Sequence, residues 1–364
     1  MDEKTAFLIL NHVPFLGPMK TRLLLKHFHS AQAILSAPQE KLKEIVGLGD
    51  KIITSLKTWN ERDDWQRDLD LVHRYNAQLI PYTDPQYPPL LRKIPDAPVL
   101  LYAVGSLTEQ DFNSTLAIIG TRACSHYGKE SAERLSAELA GKGITIISGL
   151  ALGIDAAAHV GALKSGRTIA VIGSGLAQMY PKENIHLASK IAEKGAVLSE
   201  YPMFASPDRQ HFPQRNRIVS GMSCGVLLIE APSKSGSMIT INKARSQGKP
   251  CFAIPGRIDQ SRFQGNHQLL KSREAHFVDC STDILQHLDM QSNLFEILPE
   301  KPKGPELSEN EKNILSQMSD DELSIEDLIS ITKLPITKLN VLLMGLVLKK
   351  VIKEYPGKLY RKAC

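Results

Sequence analysis

Three arginines, one histidine and one phenylalanine lie within nine residues of this chain, Arg209–Arg217. Guanidinium groups pair with phosphates, and an aromatic ring offers a face on which a nucleobase stacks. Only Asp208 is close enough in sequence to neutralise these arginines, so a solvated loop with local ion pairs explains the segment poorly. The segment therefore predicts an anion-binding surface that suits nucleic acid.

Glycine, hydroxyl and basic residues also follow several apolar runs elsewhere in the chain. Glycine lets backbone N–H groups approach a phosphate, serine and threonine add donors, and lysine or arginine adds charge. The predicted phosphate and base contacts are Gly120, Thr121, Arg122, Ser148, Gly149, Lys182, Arg209, Phe212, Arg215, Asn216, Arg217, Ser235, Gly236 and Ser237.

The same sequence offers little for catalysis. It contains no GxxxxGK[ST] phosphate loop, no GxSxG nucleophile elbow and no HExxH zinc motif. His159 lies one helical turn after Asp155 with no nucleophile beside it, so a structural role is favoured over a catalytic one. We predict a binding protein with no catalytic residues, no metal ion and no cofactor.

The elements that must position these side chains are short apolar runs alternating with amphipathic helical stretches. Uninterrupted apolar strands are typical of a parallel sheet covered by helices on both faces. Such a sheet binds ligands beyond the carboxyl ends of its strands, where the candidate residues would converge. We therefore predict an α/β fold, a Rossmann-like, doubly wound, mostly parallel sheet over residues 105–292. The predicted strands are 116–120, 144–148, 168–172, 196–199, 225–229 and 250–254.

The sequence before this domain divides into two parts. Residues 1–75 have helical periodicity, and the apolar-Gly-apolar-Gly segment at 46–49 resembles a helix-hairpin-helix or SAM-like bundle. That segment predicts either a tight turn between packed helices, which we favour, or a phosphate-binding hairpin. Residues 76–104 are predicted to be a proline-rich connector, since 81–98 holds six prolines.

A linker, 293–307, leads to a predicted winged-helix domain at 308–364. Residues 308–334 hold 2 basic and 7 acidic side chains, whereas 335–364 hold 7 basic and 1 acidic. This division fits a third helix and wing that face DNA, and it fits equally an acidic face packed on a basic face or a wing that binds protein. The possible DNA contacts here are Lys338, Lys349, Lys350, Lys353, Lys358 and Arg361.

Composition narrows the class of protein. The chain has 364 residues, 42% of them hydrophobic and 23% charged, with a net charge of +5, which is typical of a multidomain globular protein. Its five cysteines form no CxxC pair, and it opens on the acidic segment MDEKTAFLIL. We therefore expect a cytoplasmic protein with free thiols and no membrane insertion.

Six motifs resemble those of the DNA-processing protein A family, DprA or Smf. They occur in the order that the family shows and cover about residues 80–290, and the flanking domains resemble those of its longer members. The motifs are IIGTR (118–122), SGLALGIDAAAH (148–159), IAVIGSGL (169–176) with YPKEN (180–184), LSEYP (198–202), FPQRNRIVSG (212–221) and SGSMIT (235–240).

This resemblance implies a single-stranded DNA-binding protein of natural transformation that protects incoming strands and loads a RecA-type recombinase. It also implies a homodimer formed through the Rossmann-like domain and displacement of single-strand-binding protein. Position by position, it places Arg122, Lys182 and Arg209 in the DNA pocket. Arg209 stands where some members have lysine, so the charge is kept.

An enzyme is the alternative interpretation. The fold also resembles nucleotide phosphoribohydrolases, which carry PGGxGTxxE and act on nucleoside monophosphates. The corresponding segment here, APSKSGSMIT, lacks the paired glycines and the catalytic glutamate. That difference favours a binding protein.

Overall fold

The structure is a computed structural model that describes residues 1–288, 307–318, 322–349 and 351–362. The chain divides into two compact units, Met1–Glu296 and Ile297–Cys364.

The first unit begins with six helices that pack around one apolar core. Asp2 and Ser30 cap two of them by accepting hydrogen bonds from the backbone N–H groups of Thr5 and Ala33. The core includes Phe7 and Leu24, both fully buried, and continues into the edge of the sheet. The helices are α1 (Glu3–His12), α2 (Pro18–Phe28), α3 (Ala31–Ser36), α4 (Gln39–Lys43), α5 (Asp50–Lys57) and α6 (Asp64–Arg74).

A nine-stranded sheet follows, in the order β1-β2-β6-β5-β4-β3-β7-β8-β9. From β6 to β9 all neighbours are parallel, while β2 pairs antiparallel with β1 and β6. The strands are β1 (Gln78–Pro81), β2 (Leu100–Gly105), β3 (Thr115–Ile119), β4 (Thr145–Ser148), β5 (Thr168–Val171), β6 (Ala196–Ser199), β7 (Gly225–Leu228), β8 (Cys251–Ala253) and β9 (His276–Phe277).

Helices cover both faces of this sheet. On one face, α9 and α10 enclose an apolar cluster with β3, β4 and β7, and on the other α12 and α13 do so. The predicted α/β fold class and its doubly wound, mostly parallel sheet are confirmed. These helices are α7 (Pro89–Arg92), α8 (Gln110–Asn113), α9 (His126–Gly141), α10 (Ile154–Ser165), α11 (Ile185–Lys194), α12 (His211–Gly221), α13 (Gly236–Ser246), α14 (Gln264–Lys271) and α15 (Ser281–His287).

The proline-rich segment 76–104 differs from the extended connector that we expected. It supplies β1 and β2 and, between them, the short helix α7. Its prolines are compatible with this structure because Pro81 ends β1, while Pro89 begins α7, where its missing N–H costs no hydrogen bond. The predicted division at residues 75 and 105 remains a prediction.

The second unit contains three helices and a three-stranded sheet in the order β10-β12-β11. Ser308 and Ser324 begin two of the helices with reciprocal capping boxes. The predicted winged-helix architecture is confirmed, whereas the linker 293–307 lies, except for its last residue, outside the described residues. The elements are α16 (Glu309–Gln317), β10 (Leu323–Ser324), α17 (Ile325–Thr332), α18 (Ile336–Leu348), β11 (Ile352–Tyr355) and β12 (Leu359–Lys362).

None of the described helices is by itself long and apolar enough to span a membrane. Together α17 and α18 meet the length and hydropathy required, but they are bent by 109° at the break between them. Leu328, Leu339 and Leu343 of this pair are buried in the apolar core of the second unit.

Candidate nucleic-acid interface

A cavity of about 790 Å³ opens at the carboxyl ends of β3, β4 and β7. Chain order reverses at β3, since β4 lies on one side of it and β7 on the other. Ligands of doubly wound sheets bind at such a reversal because the loops diverge there and leave a crevice. We call this cavity the crest pocket; its lining includes most of the residues predicted from the sequence. Those residues are Gly120, Thr121, Arg122, Gly149, Arg209, Phe212, Arg215, Asn216, Ser235, Gly236 and Ser237.

The loop after β3 is held in place by backbone contacts. The Thr121 amide donates to the carbonyl of Glu230 at 2.7 Å, and the Thr121 carbonyl accepts from the amide of Ile154 at 3.2 Å. Gly153 lies against the Thr121 and Arg122 carbonyls at a φ of +79°, where a Cβ atom would overlap both oxygens. Only glycine fits this position without strain.

Arg122 and an aromatic pair form the exposed wall of the crest pocket. The Arg122 guanidinium lies 5.5 Å from the centroid of the Phe212 ring, and the Tyr180 ring is 5.8 Å from the same ring. Arg122 and Arg209 are exposed, and neither forms an ion pair within the described part of the chain. This wall therefore combines positive charge with ring faces, the two features that bind single strands.

One face of α12 forms another wall. Phe212, Arg215, Asn216 and Val219 follow the i, i+3, i+4, i+7 pattern of one helical face, and all four line the crest pocket. Arg209 precedes this helix, in the loop at residues 200–210, and lies at the same cavity.

Arg215 is a buried cation on this face, only 4% exposed. Its guanidinium donates to the carbonyl of Gly149 at 2.6 Å and to that of Val171. Burial lowers the pKa of Arg215, and the nearby Asp155 carboxylate opposes that shift. Because both carbonyls fix the guanidinium from within, Arg215 forms the floor of the crest pocket and brings positive charge beneath it.

Asp155 lies in the same floor. Its carboxylate accepts from the amides of Gly149 at 3.2 Å and Ala151 at 3.4 Å. Burial raises the pKa of Asp155, while the Arg215 charge acts in the opposite direction. Asp155 therefore orders the loop after β4 from below.

Arg217 and Ser148 do not line the crest pocket, so its geometry gives no support to the prediction that they contact the ligand. Successive helical residues are about 100° apart, so Arg217 points away from the face that carries Arg215. It pairs with Glu200 at 2.5 Å and Asp96 at 3.3 Å, acids remote in sequence that local inspection could not identify. Ser148 is fully buried, and its hydroxyl donates to the carbonyl of Ile118 at 2.6 Å.

Lys182 is exposed but does not line the crest pocket. It begins a short 3₁₀ helix, Lys182–Asn184, two residues after the pocket residue Tyr180. Lys182 therefore adds an exposed positive charge close in sequence to the pocket.

The N-terminal end of α13, with Ser235 as its N-cap residue followed by Gly236 and Ser237, also lines the crest pocket. Ser237 is 8% exposed, and Gly236 has open space where a Cβ atom would be. The first N–H groups of a helix have no partner within that helix and attract anions. The N-terminus of α13 thus presents backbone N–H donors to the cavity.

Sequence reasoning missed several lining residues because their types carry little chemical signal. All of them except Pro207 lie in the motifs quoted above, and the aromatic ring of Tyr180 in YPKEN is the one that indicates a stacking group. The residues missed are Ile119, Ala151, Tyr180, Pro207, Pro213, Val219, Ile239 and Thr240, together with Asp155, a charged residue that the sequence did not assign to the ligand site.

The basic residues of the winged helix fall into three groups. Lys338, Lys353, Lys358 and Arg361 are exposed, whereas Lys350 lies outside the described residues. Lys349 pairs with Glu311 at 2.7 Å, and this contact lowers the pKa of Glu311 to about 2.

Apolar side chains dominate the outward face of α18. Val341, Met344 and Leu348 are each more than two-thirds exposed. The wing therefore offers more positive charge to a partner than the helix that usually reads DNA bases does.

Comparison with known proteins places the chain among DNA-processing proteins. A sequence profile described as DNA recombination-mediator protein A matches residues 78–289, and one for the DprA winged helix domain matches residues 298–358. Protein Smf of Synechocystis sp. is 30% identical, with 99% of both chains covered. DNA processing protein DprA of Bacillus subtilis is 40% identical over 61% of this chain and 75% of its own.

Two solved structures share the fold at 33% identity. DNA processing protein A from Streptococcus pneumoniae matches 79% of this chain and 98% of its own, with a TM-score of 0.69. DNA processing protein A from Helicobacter pylori, reported with a single-stranded DNA binding mode, matches 59% of this chain and 96% of its own, with a TM-score of 0.54.

Proposed function

The chain belongs to the DNA recombination-mediator protein A family, and we propose that its crest pocket binds single-stranded DNA. The observation that carries this proposal is that two exposed cations, Arg122 and Arg209, line one cavity together with the Phe212 ring, with the Arg122 guanidinium 5.5 Å from the ring centroid. Every nucleobase has a face that stacks and every nucleotide has a phosphate, so such a surface binds strands of any sequence.

The proposed binding mode assigns a part to each wall. Phosphates pair with Arg122 and Arg209, and with Lys182 beyond the pocket. A base stacks against Phe212 or Tyr180, and the amides at the start of α13 donate to a further phosphate. The buried Arg215 contributes its charge from below without leaving its carbonyl partners.

Family membership supports the wider role that we propose. In that role the cytoplasmic protein protects incoming strands during natural transformation, loads a RecA-type recombinase and displaces single-strand-binding protein. It acts as a homodimer formed through the Rossmann-like domain. A loading assay tests this part: recombinase assembly on strands coated with single-strand-binding protein should accelerate when the chain is added.

We propose further that the protein binds DNA without chemical turnover. The carboxylate that lines the crest pocket, Asp155, is engaged by backbone amides beneath the floor, and the neighbouring Arg215 is fixed by two carbonyls. The competing enzyme would release ribose phosphate from nucleoside monophosphates, so detection of that product would overturn this part of the proposal.

Fluorescence anisotropy with a labelled oligo-dT tests DNA binding at the crest pocket. Arg122→Ala and Arg209→Ala should each weaken binding and reduce the salt dependence of log K by about 0.7, the value for one phosphate contact to a single strand. Arg134→Ala is the matched control, because Arg134 is a partly exposed arginine of the same unit outside the pocket. The proposal would be contradicted if Arg122→Ala and Arg209→Ala bound oligo-dT as tightly as the control Arg134→Ala.

A further inference from the structure

A buried carboxylate in the N-terminal helices joins three separate elements. Asp68 of α6 is 2% exposed and accepts from the Tyr102 hydroxyl at 2.7 Å and from His12 Nε2 at 3.0 Å. Its second oxygen accepts from the backbone amide of Met203 at 2.6 Å. Because buried carboxylates need such donors, the positions of α1, β2 and residue 203 are tied to Asp68.

Met203 lies in the loop that carries Arg209 to the crest pocket, residues 200–210, which we call the Arg209 loop. The opposite side of this loop is also fixed, since the Met203 carbonyl accepts from Ala177 at 3.0 Å and the Ala205 carbonyl accepts from Gly175 at 2.8 Å. The N-terminal helices make a second contact with this loop, because the side-chain amide of Asn11 donates a hydrogen bond to the Glu200 carbonyl at 3.2 Å.

The two parts of the Arg209 loop differ in how they are held. Residues 200–205 are clamped between α1, α6 and the loop after β5, whereas Arg209 itself is exposed and unpaired among the described residues. A loop that must be ordered on binding costs conformational entropy, and a loop already ordered does not. These contacts therefore reduce the conformational entropy that the Arg209 loop loses when DNA binds.

We propose that Asp68 is a positioning residue for DNA binding, through which the N-terminal helices hold the Arg209 loop at the crest pocket. This inference rests on the proposed function, but it concerns a residue that does not touch the ligand. It gives the helical segment a part in DNA binding that needs no DNA contact of its own.

The first test compares two changes at the same junction. Asp68→Ala removes the Met203 tie and should weaken oligo-dT binding about tenfold, an effect of the size that indirect contacts produce. Tyr102→Phe removes a different bond of the same carboxylate and leaves the tie intact, so its affinity should stay within about twofold. If Asp68→Ala does not fold, Asn11→Ala replaces it, with an expected loss of about threefold.

A double-mutant cycle separates positioning from general damage. Asp68→Ala should lose its effect when combined with Arg209→Ala, because the side chain it positions is gone, and should keep it when combined with Arg122→Ala. An equal loss of affinity in both backgrounds, or no loss in the wild-type background, would overturn the inference.

Hydrogen exchange of the DNA-free protein gives a readout independent of the proposed function. Amides at 203–210 should exchange faster in Asp68→Ala than in Tyr102→Phe. Unchanged exchange would refute the clamp itself. Faster exchange with unchanged affinity would refute its role in DNA binding, and unchanged affinity in Arg122→Ala and Arg209→Ala would instead refute the proposed function.

Discussion

Arg215 and Arg217 are two residues apart and have unrelated environments. Arg215 lies under the crest pocket between two carbonyls, while Arg217 pairs with Glu200 and Asp96. Charge and spacing in the sequence predicted that the segment binds anions, but not which arginine would face the ligand. That distinction depends on the helical phase of α12 and on acids that the fold brings from residues 96 and 200.

His159, for which the sequence favours a structural role, has a buried environment that the sequence could not describe. It is fully buried, and its Nδ1 lies 2.6 Å from the Thr168 hydroxyl. That hydroxyl donates its only proton to the Ile146 carbonyl at 2.7 Å, so Nδ1 carries the proton and Nε2 is bare. Burial lowers the pKa of His159 to about 3.

This pKa predicts a pH dependence of stability. The unfolded chain takes up a proton on His159 near pH 6.5 and the folded chain does not, so the folded state loses stability as pH falls from about 6.5 toward 3. At pH 5 the loss from this group is about 2 kcal/mol relative to pH 8. Urea unfolding of wild type and His159→Asn at both pH values measures it. Parallel pH dependences of the two proteins would contradict the prediction.

At the scale of elements, the parallel strands β3 to β8 were predictable, whereas the two-residue parallel strand β9 and the antiparallel edge of the sheet were not. Each predicted strand agrees with the structure to within two residues because fully apolar runs between turns have few alternatives. Strands β1 and β2 were not predicted because their segment contains six prolines, and whether a proline disrupts a strand depends on its position in that strand. The edge pairing of β2 with β6 joins residues nearly a hundred positions apart, which no local pattern encodes.

The first residues of α10 contact the loop after β3, which carries Arg122. Gly153→Ala would place a methyl group against two carbonyls of that loop at a positive φ, and should lower the free energy of unfolding by about 1–3 kcal/mol. Gly236→Ala is the control, because the same methyl group meets nothing within 4 Å there. Urea denaturation midpoints compare them, and equal midpoints would show that the loop accommodates the side chain.

At the scale of the whole molecule, the modest net charge of +5 hides two positive surfaces. The N-terminal segment 1–70 holds 10 basic and 10 acidic residues, so it contributes nothing to the total. The structure explains its place differently, since its helices share an apolar core with the sheet and reach the Arg209 loop. The sequence predicts a separate domain here because its periodicity is helical, and it could not predict the contacts with the sheet because they are long-range.

The winged helix provides a prediction at this scale. Lys353 and Arg361 are cross-strand partners on one face of the β11–β12 hairpin, and both are exposed. If the wing contacts phosphates, the double alanine variant should reduce the salt dependence of log K for a single strand by about 1.4. Lys20→Ala with Lys26→Ala, two exposed lysines of α2, is the control pair. An unchanged salt dependence in the wing variant would favour a protein partner for this domain.

The central claim, that single-stranded DNA occupies the crest pocket, is tested most directly by photocrosslinking. An oligo-dT carrying one 5-iododeoxyuridine is irradiated in complex with the full chain, and the crosslinked residue is identified by mass spectrometry. Stacking on the aromatic pair predicts crosslinks at Phe212 or Tyr180 that disappear in Arg122→Ala. Crosslinks confined to residues outside the lining of the crest pocket would contradict the account.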